Sequence, residues 1–448
     1  MARQRALSLI VAAYVYAALV VAGPWIFTML GIVGLGFAGC TDGCDQRALF
    51  RSVVIYNSMF SLVVTTPLAF LAGRYVADQL HAGRGDRVFA TFAAAAAAVC
   101  VITLAVAVPF YLVGTTLDGP MAFAAVQNAF LIGLSWLLIP FLAVAGATVA
   151  LLAAFAANAV MLAGLGWWLS NPSGQMLLTS FNASFALTDL LLLAALVRRF
   201  GTAVAFDGSL RAYLPRRWEL PAAGLAYAGG IWADKVIMWY GAPSGTLRLA
   251  GALRTMPSYD TAMFWAQVAS IPAMAIAFVH IEPQLTRLFR RFYGRLDRQA
   301  SLRELSLTMQ ALRGCVISSV VTLFVALAIL ATMMILLSFV FMTELGLRPA
   351  YMSVLRMALG AMAFHATSML CFTFLLYFDL RRPALIVVAA YAVLNIALTL
   401  AFLPLGQSLY GCGTMVAAAA TLVLAFVLLL HELPWLHYHA FVTNNTSL

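Results

Sequence analysis

The sequence predicts an all-α polytopic membrane protein with about twelve transmembrane helices, and three observations carry that prediction. Hydrophobic residues make up 64% of the 448 and charged residues only 9%, whereas roughly a quarter of the residues in soluble domains are charged. Apolar runs of about 20 residues, enough to cross roughly 30 Å of hydrocarbon as a helix, recur almost without pause. The basic residues, 26 against 16 acidic ones, gather in alternate breaks between those runs. A soluble enzyme is thereby excluded. The excess of +10 requires neither nucleic acid nor an acidic substrate, because the inner loops of membrane proteins carry such an excess anyway.

Taken in order, the apolar runs place spans at approximately 7–38, 50–74, 88–112, 121–143, 145–169, 177–197, 219–241, 260–281, 314–343, 351–378, 384–403 and 411–431. The first follows Arg3 and Arg5 like a signal peptide but is too long for a signal core, so it reads as an uncleaved helix. Between the fourth and fifth spans only Ala145-Gly146-Ala147-Thr148 is available to turn the chain. With Arg3 and Arg5 in the cytoplasm, 19 basic residues fall inside and five outside (Arg47, Arg51, Arg248, Arg254, Arg348). Both termini are therefore expected inside. Lys235, the only lysine, and Arg356 fall within spans.

The linker 201–217 divides the chain into an N-terminal bundle, 1–200, and a C-terminal bundle, 218–431, followed by a tail, 432–448. A faint repeat accompanies the division. Tyr56-Asn57-Ser58 heads a span with Pro67 and ends near Gln79-Leu80; Tyr259-Asp260-Thr261 heads another with Pro272 and ends near Gln284-Leu285. Pro24, Pro67, Pro140 and Pro272 suggest helices kinked around a cavity. Cysteine spacing offers no zinc site and no other metal motif; Cys40 and Cys44 read equally as a small disulfide or as two free thiols.

Charges in lipid are costly and usually face a cavity or a partner. That principle selects Asp189, Asp234, Lys235, Asp260, Arg356 and His365. Asp234 and Lys235 are consecutive and point about 100° apart, so they are not expected to neutralise each other along one face. Trp232, Lys235 and Trp239 share a face, a cation between two indoles. Such a stripe suits a saccharide, which offers hydroxyls and apolar ring faces; a lysine snorkelling among belt tryptophans explains it as well. Asp189 and Arg356 either pair as a gate or are each satisfied within their own bundle. His365 reads as a packed histidine or a proton relay.

Residues 284–313 place Leu285, Leu288, Phe289, Phe292 and Leu296 on one helical face, with Arg287, Arg290, Arg291 and Arg298 around the rest and Arg295 beside them. The pattern predicts an amphipathic interfacial helix whose partner is anionic lipid or a protein.

Several stretches together resemble one family. Residues 13–30 read AYVYAALVVAGPWIFTML; then come Arg51, Tyr56-Asn57, Ser61-Leu62, Pro67 and Arg74-Tyr75-Val76-Ala77-Asp78. Residues 230–240 read GIWADKVIMWY, Pro257-Ser-Tyr-Asp260 leads to Ile271-Pro272 and Glu282, and Tyr377-Phe378-Asp379-Leu380-Arg381-Arg382 and Leu394-Asn395 stand near the end. These resemble the PelG family of inner-membrane transporters of bacterial Pel exopolysaccharide systems, itself similar to the flippases of the multidrug/oligosaccharidyl-lipid/polysaccharide exporter superfamily.

The resemblance implies two six-helix bundles facing a central cavity that passes an N-acetylgalactosamine-rich polymer to the periplasm for the biofilm matrix. It also implies a cytoplasmic glycosyltransferase and cyclic-di-GMP-responsive membrane subunits as partners, the bacterial inner membrane as location, and no cofactor. The alternative is an exporter of lipid-linked oligosaccharides or cationic drugs. A membrane enzyme built on His365 lacks an accompanying acid or base cluster, a nucleophile elbow and a Walker loop.

Overall fold

The computed structural model describes residues 23, 26–30, 32, 35, 44–169, 172–203, 209–298, 301–344 and 350–436. The predicted span 7–38 and Cys40 lie largely or wholly outside them, as does the side chain of Cys44.

The described chain is helical almost throughout. In order come α1 (Cys44–His81), α2 (Arg87–Pro109), α3 (Gly119–Val144), α4 (Thr148–Trp168), α5 (Gly174–Phe200), a short α6 (Ser209–Tyr213) and α7 (Glu219–Gly241). A hairpin of β1 (Leu247–Ala250) and β2 (Leu253–Thr255) follows, then α8 (Pro257–Asp297), α9 (Leu302–Glu344), α10 (Ala350–Tyr377), α11 (Arg381–Phe402) and α12 (Cys412–Glu432). Eleven predicted spans coincide with these helices. Nine helices among the described residues are long and apolar enough to cross a membrane; α7 and α8 are not among the nine.

Backbone chemistry explains the turns. At the short turn after α3, Gly146 takes φ +70, and Ala147 N–H returns to Leu142 O at 2.9 Å while Gly146 N–H reaches Ala143 O at 2.9 Å. This is the paired hydrogen-bond closure that a left-handed residue after a helix permits. The same closure after α10 uses Asp379, at φ 57, with Leu380 N–H on Leu375 O at 2.8 Å. Ser173 caps α5 by accepting from Met176 N–H at 3.2 Å.

The described residues form two compact units, one within Ala22–Trp232 together with Ser244–Met256, the other of Ala233–Pro243 and residues 257–436. In the first unit α1, α3 and α5 pack together with α2 and α4 beside them, around a core that includes Phe92, Leu137, Phe141 and Leu192. Its β-hairpin is fastened to the end of α2. A π-helical turn at Phe110–Gly114 leaves Gly114 O to accept Ala252 N–H at 2.8 Å. The Tyr56 hydroxyl donates to Arg254 O at 2.9 Å and accepts Arg254 N–H at 3.2 Å. At the far end of α1, Tyr213 donates to Asp78 Oδ2 at 2.6 Å, and Arg74 lies 3.3 Å from the same carboxylate. Burial first, then the hydrogen bond to Asp78 and the charge of that carboxylate, push the Tyr213 phenol up to about 12.

In the second unit α10 packs on α8, α9 and α12, and α11 packs on α12. Here one expectation is corrected. Residues 284–297 are not a separate helix; they continue α8 without a break. Leu285 and Phe292 are buried, and Phe289 stacks edge-on against Tyr377 with ring centres 4.5 Å apart. The apolar stripe is spent on neighbouring helices, which calls for the same periodicity as a membrane surface would.

Two helical glycines mark close approaches of one helix backbone to another. A Cβ on Gly224 would stand 2.8 Å from the Pro67 Cα, and one on Gly413 would stand 2.7 Å from both Leu398 C and Thr399 N. Overpacking of this kind costs about 1–3 kcal/mol. Gly224→Ala and Gly413→Ala are therefore expected to lower the thermal unfolding temperature of the detergent-purified protein. Gly164→Ala, where nothing lies within 4 Å, leaves it unchanged or raises it.

Candidate functional site

Asp234 is the most enclosed charge in the described membrane helices, with 1% of its surface exposed, and α7 carries it into the second unit. A carboxylate there needs donors from outside its own helix, since an α-helix spends its backbone N–H groups internally. Tyr259, near the start of α8, donates to Asp234 Oδ2 at 2.7 Å. Asn395 of α11 donates to Oδ1 at 3.4 Å and accepts from Thr399 at 3.2 Å. Thr414 of α12 shares a hydrogen bond with the Tyr259 hydroxyl at 3.3 Å. Three helices thus meet on one carboxylate, and α12 touches the phenol that holds it.

Lys235 corrects the expectation that it and Asp234 face too far apart to meet. Its Nζ lies 3.5 Å from both Asp234 oxygens. The Cα–Cβ bonds of consecutive helical residues do diverge, but a flexible four-carbon stem lets the ammonium fold back. The contact is longer than a tight charge-assisted hydrogen bond, about 2.7–2.9 Å.

Trp239 is fully buried and its indole N–H donates to Asp260 at 2.9 and 3.1 Å to the two oxygens. The two residues nominated separately are thus one interaction, a support beside the Asp234 cluster. Trp232 and Lys235 are half-buried on α7, and Arg356 is half-buried on α10. His365 of α10 packs its ring against Tyr391 of α11, with centres 4.5 Å apart.

Asp189 belongs to the first unit, where Ser135 donates to its Oδ1 at 2.6 Å. It sits beside a seam of neutral groups that a search for charges in lipid leaves out. Tyr111 donates to Asn57 Oδ1 at 2.7 Å, Asn57 to Asn128 Oδ1 at 2.9 Å, and Asn128 to Asn182 Oδ1 at 2.8 Å. Each amide is buried, and the chain of donors knits α1, the α2 end, α3 and α5. Asn158 and Thr188 make a further rung at 3.0 Å. The available signal is a single Asn in each of several apolar helices, a pattern typical of interhelical hydrogen bonding in membranes.

Comparison with known proteins decides the family. A family model described as "PelG: Putative exopolysaccharide Exporter (EPS-E)" matches residues 1–441. The chain belongs to the PelG family. Three of the stretches that carry the resemblance, around Asp234, Tyr259 and Asn395, converge on the one carboxylate.

Solved structures with the same fold include an outward-facing multidrug resistance MATE family transporter of the MOP superfamily, with TM-score 0.63, 12% identity, and 94% of this chain and 96% of that one covered. An inward-facing conformation of a multidrug resistance MATE family transporter scores 0.62 at 12% identity, covering 94% of this chain and 99% of that one. A MOP superfamily transporter from Pyrococcus furiosus Vc1 scores 0.59 at 10% identity, covering 96% of each chain. At these identities the likeness establishes a MATE-like membrane transporter fold. A search of curated proteins finds no match.

The geometry ranks the contacts around Asp234. Tyr259→Phe removes a donor from the buried carboxylate itself, a loss of about 1–3 kcal/mol. Thr414→Val touches only the far side of the phenol. Thermal unfolding is expected to show the larger drop for Tyr259→Phe, and equal drops would mean that the carboxylate is held by other groups.

Proposed function

We propose that the protein carries a nascent Pel-type exopolysaccharide, an N-acetylgalactosamine-rich polymer of the biofilm matrix, across the bacterial inner membrane, with both termini in the cytoplasm. Membership of an exopolysaccharide exporter family and a transporter fold support transport. The observation that carries the site is the Asp234–Lys235 pair, an ion pair kept inside a membrane helix where an apolar pair would cost less. Lys235 remains partly open, with 14% of its side chain exposed against 1% for Asp234.

In this reading Lys235 and Trp232 meet the saccharide, the ammonium by hydrogen bonds to hydroxyls and the indole by packing on a sugar face. Tyr259 and Asn395 hold Asp234, and Trp239 with Asp260 backs the site. Asp189 and Arg356 are further candidates for substrate contact, each taken within its own unit. Polymer synthesis and its control reside in partners, a cytoplasmic glycosyltransferase and cyclic-di-GMP-responsive membrane subunits. A second reading is export of lipid-linked oligosaccharide or cationic drugs, and the fold neighbours described as multidrug resistance transporters support its drug arm.

The test is polymer secretion from a deletion strain complemented with variants at equal protein level. Losing one charged hydrogen bond, roughly 1.5–3 kcal/mol, slows a transport step about tenfold or more. Lys235→Ala is expected to show that loss while cell extracts still make polymer. Normal secretion by Lys235→Ala removes Lys235 from the path. Loss of ethidium resistance with secretion intact selects the drug-export reading.

A further inference from the structure

α8 and α9 are 41 and 43 residues long, about twice the roughly 20 that cross a bilayer. The excess lies at the end they share. Phe289 packs on Tyr377 and Phe378, so it stands level with the last turn of α10, where Asp379 turns the chain into α11. Residues 290–297 therefore continue eight residues past that level, about 12 Å at a helical rise of 1.5 Å.

The return helix starts at a reciprocal cap. Ser301 Oγ accepts Glu304 N–H at 3.4 Å, and Glu304 Oε2 accepts Ser301 N–H at 3.3 Å. Arg295 closes the pair by donating to Glu304 O at 3.0 Å and to the Thr308 hydroxyl.

The inside of this helical hairpin is apolar and closed, with Phe292, Leu305, Met309 and Leu312 buried. Its outside is cationic. In 284–313 seven arginines stand against two acidic residues, and one of the two, Glu304, is occupied by the cap. Arg290, Arg291, Arg298 and Arg303 are exposed.

Lipid accounts poorly for such a surface. Much of its apolar stripe is packed inside, with Leu285, Phe292, Leu305 and Leu312 buried and Leu307 left exposed, so the hairpin offers little apolar area to a bilayer against its four exposed arginines. We propose that the hairpin 284–313 docks a cytoplasmic protein that presents an acidic face to Arg290, Arg291, Arg298 and Arg303. The proposal holds whatever the transporter carries.

The test places a photo-cross-linking amino acid at Leu307, 57% exposed on the hairpin, in the full-length protein in its native membrane. The expected result is an adduct to a protein whose cross-linked peptide is rich in Asp and Glu. Replacing the four arginines with glutamine reduces that adduct by about tenfold or more. Replacing them with lysine retains it, and both variants keep the wild-type unfolding temperature. An undiminished adduct in the glutamine variant, or a cross-linked peptide without acidic residues, overturns the proposal. So does hydrogen-exchange protection of the hairpin tip on moving the purified protein from phosphatidylcholine to phosphatidylglycerol nanodiscs, which assigns the surface to lipid.

Discussion

A carboxylate in the hydrocarbon layer is tolerated only when several groups meet it, and the second unit is organised around meeting Asp234. The helix that bears it has no backbone N–H to offer, so the donors come from α8 and α11, and α12 contacts the donor phenol. Each donor must arrive within a few tenths of an ångström, which fixes the rotation of its helix. Gly413 contributes to the same end by letting α12 approach the backbone of α11 at Leu398 and Thr399. Close packing and polar satisfaction are thus one constraint, because the hydrogen bonds form only where small residues let the backbones converge.

The first unit meets the same requirement with neutral chemistry. Its amide ladder through Asn57, Asn128 and Asn182 places donors and acceptors in strict alternation, so it is satisfied without charge. The sequence repeat becomes more informative in this light. Tyr56 and Tyr259 both lie in long helices containing proline and both are fully buried, yet one hydroxyl holds a β-strand and the other a carboxylate. Asn57 and Asp260 follow them, the first a hub of amides, the second the acceptor for Trp239. These two positions both keep a polar duty, neutral at Asn57 and charged at Asp260.

Elements set by local chemistry were legible in the sequence. Apolar length located eleven of the helices, Gly146 supplied the left-handed turn where two helices had almost no linker, and the cost of charge in lipid picked out Asp234, Lys235 and Asp260, which lie close together. Features depending on distant residues were not legible. The β-hairpin rests on Gly251, at φ +60 and within 3 Å of Gly114 O for any added Cβ, and on Tyr56, 198 residues from its partner. Tyr259 and Asn395 carry family likeness without disclosing their common target. The cationic hairpin escapes the pattern because apolar periodicity reports that a helix has a buried side and says nothing of what buries it. Ser301 and Glu304, three residues apart, carry a local signal for the return helix that the arginine pattern overshadows.

Contact lengths also separate support from exchange around Asp234. Tyr259 holds it at 2.7 Å, within the range of strong hydrogen bonds to a charged acceptor, whereas the ammonium of Lys235 stands at 3.5 Å from both oxygens. A cation at that distance still neutralises the carboxylate, since Coulomb attraction falls only as the inverse of distance, but it gives up little directional hydrogen bonding if it turns elsewhere. Lysine suits that duty better than the arginine used at every other basic position, because three donors on a rotating ammonium can be redirected singly while a planar guanidinium is committed to a fork. The one lysine in the chain thus stands beside the most enclosed carboxylate among the described residues.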